Sequence, residues 1–225
     1  MAELETFEHE TGPDPVAAVI WMHGLGADAH DFEPVVPILD LGPARPVRYV
    51  FPNAPERPVS INAGLRMRAW YDITQRNFDQ IEDEAGIRAA AQQIDSLIEQ
   101  ERDRGLSSAR ILLAGFSQGG AMALFAGLRY PDALGGIIAL SCYLPLADRL
   151  TSEAAADSTR TPIFMAHGEA DNVLPYWIGQ VTRDRLLAAG YAVEWHSYPI
   201  AHTVDPQELM DLRAFLDQQI AAMCQ

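Results

Sequence analysis

Two cysteines, Cys142 and Cys224, are all that the 225 residues carry. Cys142 falls near the top of a predicted strand and Cys224 stands one residue from the carboxyl end. A disulfide framework is therefore not expected, and a reducing compartment, the cytoplasm, is the expected home. Positive charge is scarce too. The 16 Lys and Arg residues face 31 Asp and Glu, leaving a net charge of −15. Such a surface repels phosphate backbones and anionic bilayers, so nucleic acid and membrane surfaces are not expected partners, and the acidity serves solubility. No apolar run reaches the roughly 18 residues that a membrane span needs. The acidic opening MAELETFEHE lacks an apolar core segment, so no secretory signal is expected. No G-K-[S/T] occurs, which removes a phosphate-binding loop. There is no closely spaced cysteine pair and no second histidine at helical spacing, so neither a metal nor another cofactor is expected, although His167, Glu169 and Asp171 alternate in a way that resembles a ligand set.

What is present is an ordinary globular composition, 48% apolar and 21% charged. The length suits a single domain, residues 1–225, with a large core. Apolar runs of strand length recur at Val16 to Met22, Val47 to Phe51, Ile111 to Ala114, Gly136 to Leu140, Ile163 to Ala166 and Ala192 to Tyr198. They do not alternate with polar residues, which suits strands covered on both faces of a parallel sheet. Helical patterns lie between them. The clearest runs from Glu82 to Arg104, with Ile87, Ala91, Ile94 and Ile98 on one face, acids at its start and Gly105 as its stop. Others span Gln118 to Tyr130, Pro175 to Ala189 and Pro206 to Ala222. The alternation predicts a doubly wound α/β domain, a mostly parallel sheet with helices on both faces. Pro52 to Ile81 reads as a long excursion over one end of the sheet, and Leu144 to Thr161 as a surface loop with a helical turn.

The chemistry gathers at loops that follow strands. Gly115-Phe116-Ser117-Gln118-Gly119 comes straight after the run ILLA and opens a helical pattern. G-x-S-x-G in that setting is a nucleophile elbow, a tight turn that lifts the Ser117 hydroxyl to the sheet edge. A serine needs a base, and in the fold that uses this elbow an acid and then a histidine follow the nucleophile in the chain. His9, His23 and His30 come too early, and His167 precedes the best acid. His202 lies in the loop after the last strand, whereas His196 lies within that strand. Asp171, in HGEADNVLP, is the favoured acid, with Glu169 and Asp157 as rivals. The first apolar run ends in His23-Gly24-Leu25-Gly26, where the fold keeps half of its oxyanion hole, so the backbone amides of Leu25 and Gln118 are expected to meet a developing oxyanion. His23 is expected to orient that turn.

Six blocks together, HGLGAD (23–28), RMRAWYD (66–72), GFSQGGAMAL (115–124), SCYLP (141–145), HGEADNVLP (167–175) and EWHSYPIAHTV (194–204), resemble the phospholipase/carboxylesterase family of α/β-hydrolases, which includes bacterial carboxylesterases and acyl-protein thioesterases. The resemblance runs from about residue 16 to 216. It implies Ser117 as nucleophile, His202 as base, Asp171 as orienting acid and the amides of Leu25 and Gln118 as oxyanion donors. It further implies that the segment from Leu65 to Trp70 borders an acyl pocket with Leu174 nearby; a place in the core suits Trp70 equally. Cys142 stands where the family usually has glycine, and Ile200-Ala201 where it has methionine-glycine, so a changed pocket shape is expected there. The implied activity is hydrolysis of short- to medium-chain carboxylic esters. An acyl-protein thioesterase or lysophospholipase, a peptidase and a catalytically inactive binding module are the alternatives, and a homodimer follows only by family analogy.

Overall fold

The computed structural model describes residues 3–74 and 82–223. In chain order its strands and helices are β1 (Thr6–Glu10), β2 (Ala17–Met22), α1 (Val36–Leu39), β3 (Val47–Pro52), β4 (Glu56–Val59), β5 (Leu65–Arg68), α2 (Glu84–Asp103), β6 (Ile111–Phe116), α3 (Gln118–Gly127), β7 (Gly136–Leu140), α4 (Leu150–Glu153), β8 (Ile163–Gly168), α5 (Tyr176–Ala188), β9 (Val193–Tyr198) and α6 (Pro206–Met223).

Among the described residues, seven strands form one sheet in the order β1-β3-β2-β6-β7-β8-β9. All neighbours run parallel except β1, which lies antiparallel on β3 with Phe7 opposite Phe51. The side-chain alternation of the strands feeds two cores. Ala18, Ile20 and Met22 of β2 join Ile87 and Ile94 of α2, Met122 and Phe125 of α3 and Leu186 of α5 on one face. Ala17, Val19 and Trp21 join Val36 and Leu39 of α1 and Leu212, Phe215 and Leu216 of α6 on the other. Every residue of β2 is buried, which is why its sequence shows no polar alternation.

Local signals set the helix ends. The Asp83 carboxylate caps α2 by accepting from Gly86 N–H at 2.9 Å, so the helix begins at Glu84, two residues inside the expected start. Gly105 and Gly190, at φ 102° and 88°, take the left-handed residue that follows α2 and α5. α3 ends at Gly127, short of the expected Tyr130, because the chain tightens into turns with Arg129 N–H and Tyr130 N–H both on Ala126 O.

Three elements were not expected from the sequence: β1, the short α1, and the antiparallel hairpin β4–β5 that pairs Val59 with Leu65. The hairpin accounts for much of the excursion expected over Pro52 to Ile81; its last residues, 75–81, lie outside the described residues. The expected loop from Leu144 to Thr161 carries α4 and two single 3₁₀ turns, 147–149 and 158–160. Among the described residues no helix is long and apolar enough to cross a membrane.

Strand order reverses between β2 and β6: from β2 the chain goes to β3 on one side, and later to β6 and onward on the other. A crevice opens beyond the carboxyl ends of strands at such a point. The loops that follow β2 and β6 are those carrying Leu25 and Ser117.

Candidate active site

Ser117 sits between β6 and α3 at φ 55°, ψ −119°, a conformation that an L-residue adopts only under constraint. Its own N–H is held by Leu140 O at 2.8 Å and its carbonyl accepts from Ala121 N–H at 3.0 Å. The glycines two places either side permit the bend. A Cβ on Gly115 would run into the backbone of Gly119, and one on Gly119 would run into Met22 O. Strand, elbow and helix are therefore pressed backbone to backbone, and the serine is left at the crest.

The turn after β2 is braced against this elbow. Gly26 N–H donates to Arg68 O at 2.9 Å, and Ala27 N–H to Gly24 O at 3.2 Å. His23 is buried, and its ring closes the turn from below. Nε2 accepts from Ala54 N–H at 3.1 Å, so the proton is on Nδ1, which donates to Gly24 O at 2.7 Å. Burial lowers the His23 pKa and keeps the ring neutral. The Trp70 indole N–H donates to His23 O at 2.9 Å, while the Gln118 side chain accepts from Trp70 N–H and donates to Tyr71 O, both at 2.9 Å. Trp70 thus ties the Leu25 turn to the start of α3, where the Gln118 amide is one of the helix's unpaired donors.

On the far side, Asp171 follows β8. Its Oδ1 accepts from Val173 N–H at 2.9 Å and Leu174 N–H at 2.8 Å, and its Oδ2 lies 2.6 Å from His202 Nδ1. The Asp171 side chain is shut off from solvent, whereas the His202 side chain keeps 14% of its exposure. The His202 ring rests on Phe116, the residue before the serine, with ring centroids 4.7 Å apart. Ser117, Gln118, Leu25, Leu174 and His202 all line one cleft of about 560 Å³. Five of the residues singled out in the sequence, from four different loops and helix starts, therefore share its wall, with Asp171 directly behind His202.

The rivals lie elsewhere. The exposed Glu169 carboxylate accepts from Ser197 Oγ at 2.8 Å, and Asp157 is exposed at the start of a 3₁₀ turn. His196 pairs with Glu194 at 2.9 Å and stacks on Phe164 and Tyr198. Among the described residues no group of three His, Cys, Asp or Glu side chains is placed to hold a metal ion.

Two implied pocket residues are corrected. Trp70 is wholly buried and absent from the cleft wall; its indole braces two loops. Leu65 is 65% exposed and also outside the cleft, because it stands on the hairpin, a ribbon with one face left uncovered. Cys142, Ile200 and Ala201 do not border the cleft either. Cys142 is buried against Gly120, and burial pushes its thiol pKa far up. In their place the wall includes Ile61, Ile73, Tyr71 and Tyr143, the last two joined hydroxyl to hydroxyl at 2.8 Å. Tyr71 and Tyr143 stand inside the blocks RMRAWYD and SCYLP, which marked those segments without separating the tyrosines from their neighbours.

A parallel sheet covered on both faces, with a strained serine between strand and helix at its switch point, defines an α/β-hydrolase. Comparison with known proteins narrows the class. The sequence profile of the Phospholipase/Carboxylesterase family matches residues 7–220, and the chain belongs to that family; it is a carboxylic ester hydrolase. An acyl-protein thioesterase 1 of Emericella nidulans is 38% identical over 224 residues, covering 92% of this chain and 91% of that protein. A probable carboxylesterase of Oryza sativa subsp. japonica is 33% identical over 221 residues, covering 93% and 83% of the two chains. Among solved structures, Arabidopsis thaliana SOBER1 matches with a TM-score of 0.84 at 28% identity, over 93% of this chain and 99% of that one.

Proposed function

We propose that Ser117, His202 and Asp171 act as a catalytic triad that hydrolyses short- to medium-chain carboxylic esters through an acyl-enzyme. The observation that carries this is the 2.6 Å contact between His202 Nδ1 and Asp171 Oδ2 on an imidazole that shares a cleft with Ser117. With Nδ1–H donated to the aspartate, Nε2 is the free lone pair, the tautomer a general base needs.

In the first half-reaction Ser117 Oγ attacks the acyl carbonyl and His202 Nε2 takes its proton. The carbonyl oxygen gains the electron pair and is met by the amides of Leu25 and Gln118. Collapse breaks the carbon–oxygen or carbon–sulfur bond, and His202 returns the proton to the departing alcohol or thiol. Water, deprotonated by the same nitrogen, attacks the acyl-serine, and the carboxylic acid leaves as Oγ recovers its proton. Asp171 stabilises the imidazolium in each half without taking the proton.

The cleft supports an acyl chain of modest size. Leu25, Ile61, Ile73, Phe116 and Leu174 give it apolar walls, and its volume of about 560 Å³ lies in the range of small-molecule sites. Thioesters are the second reading, favoured by the acyl-protein thioesterase relative. The test is fluorophosphonate labelling with mass-spectrometric mapping, followed by an aryl-ester chain-length series run beside an S-acyl-cysteine peptide. Label on Ser117, and a fall of about a millionfold in kcat for Ser117→Ala, are the expected results. Near-normal hydrolysis by that variant would remove the proposal.

A further inference from the structure

His167 lies in β8, one residue from its end, and is 1% exposed. Trp195 and Tyr176 flank its ring, with centroids at 6.5 and 6.1 Å. Its Nε2 is 2.8 Å from Leu174 O. A carbonyl only accepts, so Nε2 carries the hydrogen and donates it. The neutral ring then has a bare lone pair on Nδ1, and that atom has no hydrogen-bond partner among the described residues. It has no room for one on its near side, where a Cβ on Gly179 would collide with it. Burial lowers the His167 pKa, and Nε2, with its hydrogen on Leu174 O, lies 3.5 Å from Asp171 Oδ2.

A ring with one of its two polar atoms unsatisfied is a poor choice for filling an apolar slot. Its single bond has a specific consequence. Leu174 donates its N–H to Asp171 Oδ1 and gives its carbonyl to His167, so this one residue is pinned at both ends. With Val173 N–H also on Oδ1, that oxygen is saturated, and Oδ2 is the one presented to His202. We infer that His167 is a positioning residue: its Nε2–H bond to Leu174 O fixes the 171–174 turn and thereby aims Asp171 Oδ2 at His202. The inference rests on the reading of Asp171 and His202 as triad members.

The experiment pairs kinetics on an aryl ester with proton NMR of the His202 Nδ1–H, whose low-field resonance is assigned by its loss in His202→Ala. In His167→Leu the resonance should vanish or move upfield. There kcat should fall about tenfold, the equivalent of one neutral hydrogen bond at the upper end of its usual range, with a smaller change in KM. His167→Gln keeps a donor near the position of Nε2 and should recover most of both. Gly179→Ala pushes the ring off Leu174 O from the opposite side and should resemble His167→Leu. A folded His167→Leu protein with unchanged kcat and an unchanged resonance would overturn the inference. So would equal losses in the Leu and Gln variants with the resonance unmoved, which would make the ring mere packing. If instead His202→Ala kept its activity, the triad reading itself would fail, and the two failures are thereby told apart.

Discussion

Glu208→Gln should make the protein more resistant to heat, by a margin that widens as the pH rises from 5.5 to 8. Glu208 stands in the first turn of α6 at 1% exposure, and its Oε1 has no hydrogen-bond partner among the described residues. A helix start favours negative charge, yet burial dominates, and the nearby carboxylates of Asp205 and Asp211 add to it; together they push the pKa from the ordinary 4.5 up to about 8. The folded protein therefore holds a proton that the unfolded chain has released between those two values. Stability that depends on a folded-state proton falls as pH rises, by at most about 1.4 kcal/mol per pH unit. From pH 5.5 to pH 7.5 the wild type should lose on the order of 2 kcal/mol that the uncharged glutamine does not. For a chain of this size that is a gap of roughly 4–8 °C in Tm. Thermal unfolding of both proteins in matched low-salt buffers from pH 5 to pH 8.5 reads it directly. Using the difference between the two removes the general self-repulsion of a chain with net charge −15. A Tm gap that stays constant across the range would refute the reasoning.

Three further outcomes follow from the same geometry. Gln118→Leu strips two buried backbone groups, Trp70 N–H and Tyr71 O, of their partners; urea unfolding should register a loss of about 2–4 kcal/mol, and kcat should drop as the brace on the elbow loosens. Gly119→Ala places a methyl group on Met22 O and His23 O, so soluble yield should collapse or Tm should fall by well over about 5 °C; a variant of normal stability would mean the elbow packs less tightly than described. Cys142 is buried and its thiol pKa is raised, so iodoacetamide should modify it only after denaturation, as read by peptide mapping; the thiolate is the reactive form, and rapid labelling of the native protein would contradict the packing.

The sheet's interior strands were legible because burial on both faces writes itself as largely apolar runs, and β2, β3 and β6 to β8 all appeared within a few residues of their observed ends; so did β9, although it is an edge strand that carries Glu194, His196 and Ser197. The same logic hid β1. Its sequence, TFEHE, is held by backbone pairing to a single neighbour, so it needs little apolar content. The elbow was legible because a bend that tight admits few residue types. Asp171 and His202 were singled out by chain order, and their 2.6 Å contact arises because the loops that carry them follow the neighbouring strands β8 and β9. What the linear pattern could not carry is which way a side chain turns within a segment already marked. Trp70 turns inward and Tyr71 lines the cleft, although they are neighbours. Leu65 went astray because the hairpin under it was not foreseen. His167 was set aside because it precedes the acid, an argument about bases that says nothing of a ring holding the acid's own turn in place.

Because Ser117 follows β6, Asp171 β8 and His202 β9, the proposed triad assembles only when three distant stretches of polypeptide have docked side by side. The intervening crossovers make most of these pairings non-local, the kind that form late in folding. Regained hydrolysis after dilution from denaturant should accordingly lag the return of helical circular dichroism, which makes the enzyme its own reporter of the final step of assembly.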